Sequence, residues 1–316
     1  MKGLLLILLA VIHLGGHPAT LLVPPHAEGE RLPAVVVLHD HGAWFTIGRE
    51  KMAFPEWRDD LDSLSNLRLQ AESRAWVDKC YSGIYVADSL AKEGFVVLVT
   101  DALYWGTRSV SADSLPADGR RVACDNQPAD RKVLNKALQK AQPAFYEQHL
   151  RETGEAWFET ILREDIESVD YLCSLPFVDT TKIFCFGFSM GAYRSWQLAA
   201  ADPRIAGCAA ANWMTTIAYT GSFITGSSSW AMYRPQETDY PLIAAKIGPR
   251  PFLLMYGTKD HVLPEKGTKM AIRTIRQEYK GRQFRTVAFP ADHVFTPEHY
   301  QTLLHWLKSH SVTHNQ

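Results

Sequence analysis

The sequence predicts an α/β fold: a mostly parallel central sheet with helices on both faces and insertions at the carboxyl ends of the strands. Three observations carry this. Short unbroken apolar runs recur at Ala34 to Leu38, Phe95 to Thr100, Ile183 to Phe188 and Pro251 to Tyr256, as strands covered on both faces require. Segments of helical periodicity alternate with them, the pattern of crossover connections. Each run also stops at a polar or glycine-containing turn rather than at a tight hairpin.

Taken in order, the N-terminus reads two ways. Lys2 followed by Leu4 to Ile12 has the charge and apolar length of a secretory signal ending near Ala19, although His17 stands where a small residue belongs. The same residues also read as a hairpin, with arms Leu6 to His13 and Ala19 to Val23 about a Gly15-Gly16 turn. Location in the cytoplasm and export both stay open. The apolar stretch is too short to span a membrane, so no stable insertion is expected.

After the Ala34 to Leu38 strand, Ala43 to Lys79 is polar, aromatic and too irregular for one element. Tyr81 to Lys92 has helical spacing, with Gly94 as its stop, and leads to the Phe95 strand. Residues 106–154 interrupt the alternation. They are expected to form an insertion over the sheet, with helices near Arg131 to Lys140 and Phe145 to Arg151, because their few apolar residues cannot build a separate core. Trp157 to Leu175 is amphipathic through Phe158, Ile161, Leu162, Ile166, Val169 and Leu172. Strands Ile205 to Ala211 and Phe284 to Phe289, and helices Lys266 to Tyr279 and Pro297 to His310, complete a single domain spanning residues 1–316, without repeats or linkers.

Composition narrows the function. Thirty-three basic and 34 acidic residues give a net charge of -1, with no excess of cations to track phosphates. Five scattered cysteines without a Cys-x-x-Cys pair argue against a disulfide framework or a structural zinc site.

The chemistry centres on Gly187-Phe188-Ser189-Met190-Gly191, driven into by the apolar run that begins at Ile183. A serine on a sharp strand-to-helix turn is a candidate nucleophile, and the glycines permit the close backbone approach such a turn needs. Alone the pattern is weak. A serine hydroxyl also requires a base and a group to orient that base. Asp260 and His293 follow later strands, and strand ends on this side of a parallel sheet share one crevice. Glu265 and Asp239 are weaker acids because neither directly ends a strand. His261 competes with His293, while Asp292 is too close along the chain to orient its neighbour. The oxyanion donors expected are the N–H of Met190, at a helix start, and that of His41, in the turn after the first buried strand. His39 and His41 suggest a metal pair, but no third ligand is suitably spaced, so neither metal nor cofactor is expected. Trp44, Trp105, Trp213 and Trp230 follow strand ends and are candidate substrate contacts through their flat faces; packing of the insertions is the equal alternative. Arg194, with Arg49 and Arg108, is a candidate for an anionic substrate, against the commoner role of tying loops to carboxylates.

Leu38-His39-Asp40-His41-Gly42, Ile47 to Lys51, Asp101 to Arg108, Gly187 to Arg194, Asn212 to Thr216, Asp239-Tyr240-Pro241 and Asp292 to Phe295 together resemble the dienelactone-hydrolase-like branch of the α/β-hydrolase superfamily, which includes acetyl xylan esterase-like proteins. The resemblance runs from about residue 33 to the C-terminus. It implies an α/β-hydrolase fold and a serine carboxylesterase acting through an acyl-enzyme, with Ser189, Asp260 and His293 as triad and a small acyl ester, such as an acylated sugar, as substrate. Dienelactone hydrolase itself uses a cysteine nucleophile; serine here points to ordinary esters. A serine peptidase of the prolyl-oligopeptidase kind has the same triad order but carries a large extra domain for which 316 residues leave no room. A binding protein on a hydrolase fold is the other alternative. Composition and spacing say nothing of oligomeric state.

Overall fold

The computed structural model describes residues 7–110, 128–220 and 238–311. Eight strands form one sheet: β1 (Leu8–Leu14), β2 (His17–Val23), β3 (Leu32–Leu38), β4 (Val96–Thr100), β5 (Val178–Phe188), β6 (Ile205–Ala211), β7 (Phe252–Gly257) and β8 (Phe284–Phe289). Their spatial order is β1-β2-β4-β3-β5-β6-β7-β8. From β4 across to β8 every pairing is parallel, and only the β1/β2 and β2/β4 pairs are antiparallel. The α/β-hydrolase architecture expected from the sequence is present.

Alternation along each strand divides the core into two layers. Ala34, Val36, Leu38, Cys185, Cys208 and Leu254 face one side. Val35, Val37, Phe184, Phe186, Ala209 and Leu253 face the other. Both sets are covered, which is why the strands read as continuous apolar runs rather than as alternating ones. The first layer is closed by α3 (Pro128–Thr153), α4 (Trp157–Ser174), α5 (Met190–Ala201), α6 (Tyr240–Ala244) and α7 (Glu265–Glu278). The second is closed by α1 (Ser63–Tyr81), α2 (Val86–Lys92) and α8 (Pro297–Ser311).

Residues 8–23 adopt the hairpin alternative. Gly15 and Gly16 take φ of 54° and 83°, the paired left-handed conformations of a two-residue turn matched to strand twist. β2 is inserted beside β4, so Ala19 to Val23 are buried. Residues 1–6 lie outside the described part.

Two helical expectations need correction. Ser63–Tyr81, within the segment read as irregular, is a 19-residue helix started by Asp62, whose carboxylate accepts from Ser65 N–H at 2.8 Å. Its apolar stripe is blurred because Leu64 and Leu67 are exposed while Asn66 and Ser73 are buried. Tyr81 closes this helix instead of opening the next; Ser82, at φ 54°, turns the chain before Val86–Lys92. In the insertion, the two short helices expected are one, Pro128–Thr153, with Pro143 inside it. Leu138 and Tyr146 of this helix join the first core layer; residues 111–127 lie outside the described part. Among the described residues, no helix is long and apolar enough to cross a membrane.

Candidate active site

The carboxyl ends of the parallel strands bring the distant polar residues together. β5 runs into Ser189, which sits at φ 54°, ψ -122° before the first turn of α5. Such a conformation is strained for a residue with a side chain and holds the hydroxyl up off the sheet. Its neighbours explain the glycines. A Cβ on Gly187 would lie 2.1 Å from the carbonyl of Gly191, and one on Gly191 would lie 1.9 Å from the carbonyl oxygen of Leu38. Neither contact is compatible with a methyl group, so the turn closes only with glycine at both places.

His293, in the loop after β8, reaches Ser189 Oγ through Nε2 at 2.8 Å and Asp260 Oδ2 through Nδ1 at 2.7 Å. The serine can donate to Nε2 only if the imidazole proton is on Nδ1, which is the tautomer the Asp260 carboxylate favours. Asp260 is itself fixed: Oδ1 accepts from the N–H groups of Val262 and Leu263 at 2.8 and 2.9 Å. The three sequence-predicted groups therefore meet in one line, and all lie near the surface without being freely exposed.

Met190 is the first residue of α5, so its N–H has no intrahelical acceptor and lies at the positive end of the helix. His41 stands in the turn after β3, where Gly42 and Ala43 take φ of 58° and 52°. A Cβ on Gly42 would meet the Trp76 ring at 2.1 Å. The His41 ring is buried and serves the loop: Nδ1 accepts from Ala43 N–H at 2.8 Å, which leaves the proton on Nε2 to face Gln142 Oε1 at 3.3 Å. Burial, reinforced by the nearby Lys51 charge, pushes its pKa down to about 3. His39 is held neutral in the same way, chiefly by burial; Nδ1 donates to Asp40 O at 2.8 Å and Nε2 accepts from Ala102 N–H at 3.0 Å. With their ring nitrogens engaged, the two histidines tie β3 to its neighbours rather than forming a ligand pair. Among the described residues no group of three His, Cys, Asp or Glu side chains is arranged to hold a metal.

The aromatic and arginine expectations need correction. Trp105 is fully buried; its Nε1–H donates to His41 O at 3.1 Å and its ring packs edge-on to the His41 ring at 4.9 Å. Trp213 is buried among Tyr193, Trp196 and Tyr240, with centroids 4.7, 5.8 and 5.1 Å away. Arg194 is buried and forked onto Asp165, at 3.1 Å from Nε and 2.7 Å from Nη2. These three support the loops from beneath and offer no open face to a ligand. Of the three described tryptophans Trp44 alone is half-buried, stacked on Trp76 at 5.8 Å with its Nε1–H on Glu72 at 2.6 Å. Arg49 pairs with Asp101 at 2.7 Å and Arg108 with Glu164 at 2.5 Å, so both are loop ties. Trp230 lies outside the described residues.

Sequence reasoning also missed Asn212, the first residue after β6. Its Nδ2 donates at 3.3 Å both to Asp260 Oδ2 and to Asp292 O. The signals were a polar residue at a strand end and its place at the head of the Asn212 to Thr216 block that carries the family resemblance. His261, the rival to His293, is turned away onto Asp292, with Nδ1 2.6 Å from Oδ1. Asp239 caps α6 and accepts from Ile217 N–H at 3.0 Å, and Glu265 pairs with Lys269 at 2.9 Å; neither touches the triad.

Among solved structures, a Thermus thermophilus protein matches at 15% identity, with 98% of this chain and 99% of that one covered and a TM-score of 0.53. A Klebsiella pneumoniae protein described as a candidate dienelactone hydrolase matches at 16% identity over 96% and 98%, TM-score 0.52. Pyrococcus horikoshii acylaminoacyl peptidase matches at 13% identity and TM-score 0.59, all of this chain covering 44% of the peptidase. At such identities these likenesses establish the fold. No curated protein matches the sequence. The family model for dienelactone hydrolases matches residues 81–305, a span that contains the strand-to-helix turn of Ser189 and the loops of Asp260 and His293, and on that match the chain belongs to the dienelactone hydrolase family.

Proposed function

We propose that the chain is a serine carboxylesterase that hydrolyses small acyl esters through an acyl-enzyme. Family membership makes it a hydrolase; the unbroken line from Ser189 Oγ to His293 to Asp260, at 2.8 and 2.7 Å, is the observation that supports the finer reading. Ser189 Oγ bonds to the acyl carbon as its proton passes to His293 Nε2. The carbonyl oxygen becomes an anion facing the N–H groups of Met190 and His41. Collapse breaks the ester C–O bond, and the imidazolium gives its proton to the departing alcohol. Water, deprotonated by the same imidazole, then releases the acid and restores the serine. Asp260 holds the imidazole and stabilises its charged form.

A structural neighbour from Bacteroides fragilis, described as a candidate acetyl xylan esterase, matches at 14% identity and TM-score 0.56, with 86% of this chain and 63% of that one covered. It makes acetylated sugars the first natural substrates to try. The test is a panel of acetyl, butyryl, feruloyl and sugar-acetate esters beside peptide amides, on the parent and on Ser189→Ala. The triad acts as a unit, so Ser189→Ala should lose at least ~10³ in kcat. Equal turnover by the variant would refute the mechanism; faster cleavage of amides than esters would move the assignment to a peptidase.

A further inference from the structure

Lys51 is fully buried, and nothing in the acyl-transfer steps uses it. Its ammonium sits behind the turn that follows β3. Nζ donates to Asp40 O at 2.9 Å and to His41 O at 3.0 Å, with Asp40 Oδ2 at 3.6 Å and the Trp76 ring centroid at 5.2 Å. Three oxygens thus face the three N–H donors of one ammonium. The site is built for it. Arg49, Glu50 and Lys51 form a single helical turn, anchored where Arg49 N–H and guanidinium meet Asp101 at 2.6 and 2.7 Å. Gly48 lets this turn in, since a Cβ there would lie 2.2 Å from Asp101 Oδ1.

A buried charge costs far more to desolvate than a neutral donor. A side-chain amide, with two neutral N–H donors, would staple the same two carbonyls at less cost, so the charge itself calls for an account. The two carbonyls supply one. Asp40 C=O belongs to the same peptide unit as His41 N–H, and His41 C=O to the same unit as Gly42 N–H. A hydrogen bond from a cation to the oxygen polarises the amide and strengthens its N–H as a donor. His41 O receives Trp105 Nε1–H as well, at 3.1 Å.

We propose that Lys51 is a positioning residue of the oxyanion hole: its ammonium holds the turn after β3 and polarises the Asp40–His41 peptide, so that the His41 N–H binds the tetrahedral anion more strongly. The proposal rests on the esterase reading, in which this turn supplies an oxyanion donor. Burial draws the Lys51 pKa down while the Asp40 carboxylate opposes that pull. Asp40 is in turn tied by Tyr81 O–H at 2.5 Å and Trp76 Nε1–H at 3.3 Å.

The experiment compares the parent with Lys51→Met and Asp40→Asn, reading kcat and KM on p-nitrophenyl acetate and the inhibition constant of a trifluoromethyl ketone, which forms an anionic adduct with the serine. Lys51→Met should lower kcat about 10- to 100-fold, less than the ~10²–10³ that follows loss of an oxyanion donor itself, with KM nearly unchanged and adduct affinity falling in parallel. Asp40→Asn removes the carboxylate that keeps the buried ammonium charged, so its adduct affinity relative to the parent's should be kept at the acid end of a pH profile and fall as pH rises through the lowered Lys51 pKa. A loop staple without an electrostatic part predicts losses in both variants that do not change with pH. A folded Lys51→Met with kcat and adduct affinity within about threefold of the parent overturns the proposal. So does a loss in Asp40→Asn of more than about threefold that stays the same across the pH profile, which decides the matter if Lys51→Met does not fold. Ser189→Ala, run alongside, separates the outcomes: activity without Ser189 refutes the esterase reading, whereas Ser189-dependent activity that ignores Lys51 refutes this inference alone.

Discussion

The side-chain amide of Asn212 donates to Asp260 Oδ2 at 3.3 Å, the same oxygen that receives His293 Nδ1–H at 2.7 Å. Because that amide also reaches Asp292 O at 3.3 Å, one residue at the end of β6 ties the loops after β7 and β8 to each other. Its backbone is at φ 54°, where asparagine is among the few residues tolerated without large strain. Asn212→Ala should therefore lower kcat about tenfold and stability by about 1–2 kcal/mol, from the lost hydrogen bonds and the strained alanine. Asn212→Asp should be worse at neutral pH, since a second carboxylate beside Asp260 repels it. Profiles of kcat against pH and thermal midpoints for both variants check this; an aspartate variant as active as the parent would contradict it.

A second tie is carried by Asp292. Its Oδ1 accepts from His261 Nδ1 at 2.6 Å, from His261 N–H at 3.1 Å and from His293 N–H at 2.7 Å, and the His261 bond is the main reason its carboxyl pKa is lowered. The His261 contact is exposed on both sides, 72% and 54%, so its own worth is small. The backbone bond to His293 is another matter, because it sets where the imidazole that meets Ser189 starts. Asp292→Ala is expected to lower kcat several-fold at little cost in KM, while His261→Ala stays within about twofold of the parent. Steady-state kinetics of the two variants distinguish a positioning carboxylate from a surface ion pair.

The strand ends were legible because both faces of the sheet are covered: apolar runs such as Ala34 to Leu38 and Phe252 to Tyr256 stop where the layers stop, and Ser189, Asp260 and His293 sit just beyond such stops. Side-chain direction was not legible. Arg194 lies five residues after Ser189, and five helical steps turn a side chain about 140° from its start, into the core rather than toward the hydroxyl. Trp105 and Trp213 fail for a related reason. A strand-end position says that a residue is near the crevice, but packing decides whether its ring looks up into it or down onto the sheet. The 19-residue helix Ser63–Tyr81 escaped because polar residues such as Asn66 and Ser73 take buried positions that periodicity reserves for apolar ones. Asn212 escaped because a lone polar residue after a strand looks like any turn.

Arg194 then becomes a stability residue with a distinct signature. Its guanidinium and the Asp165 carboxylate are 2% and 1% exposed and 2.7 Å apart. Removing one partner of a buried pair leaves an uncompensated charge, typically a loss of about 3–5 kcal/mol, whereas replacing both by apolar groups of similar volume is often neutral. Arg194→Met should thus be strongly destabilised in urea, and the double variant Arg194→Met, Asp165→Leu should recover much of the loss. KM for acyl esters should stay unchanged in the double variant. A rise in KM there would return Arg194 to the substrate.

Acid should destabilise the protein through its buried imidazoles, which are neutral in the fold. His299 is the clearest case. It is fully buried and stacked on Phe289 at 3.8 Å; Nδ1 accepts from Thr296 N–H at 3.2 Å. Burial lowers its pKa to about 4, while His41 falls to about 3 and His39 well below its usual value. An unfolded histidine titrates near 6.5. Between that value and about 4 the unfolded chain binds a proton at His299 that the native chain does not, so stability rises with pH across the interval and is lost as pH falls through it. For His299 the full loss is about 3 kcal/mol, reached near pH 4 and absent above about pH 7. Gln at this position can still accept from Thr296 N–H but takes up no proton. Urea unfolding of the parent and of His299→Gln at about pH 7.5 and pH 4.5 should show the variant losing about 2–3 kcal/mol less than the parent on acidification. An identical acid-dependent loss in the two proteins would mean that His299 is already protonated in the fold, and that its burial does not exclude the charge.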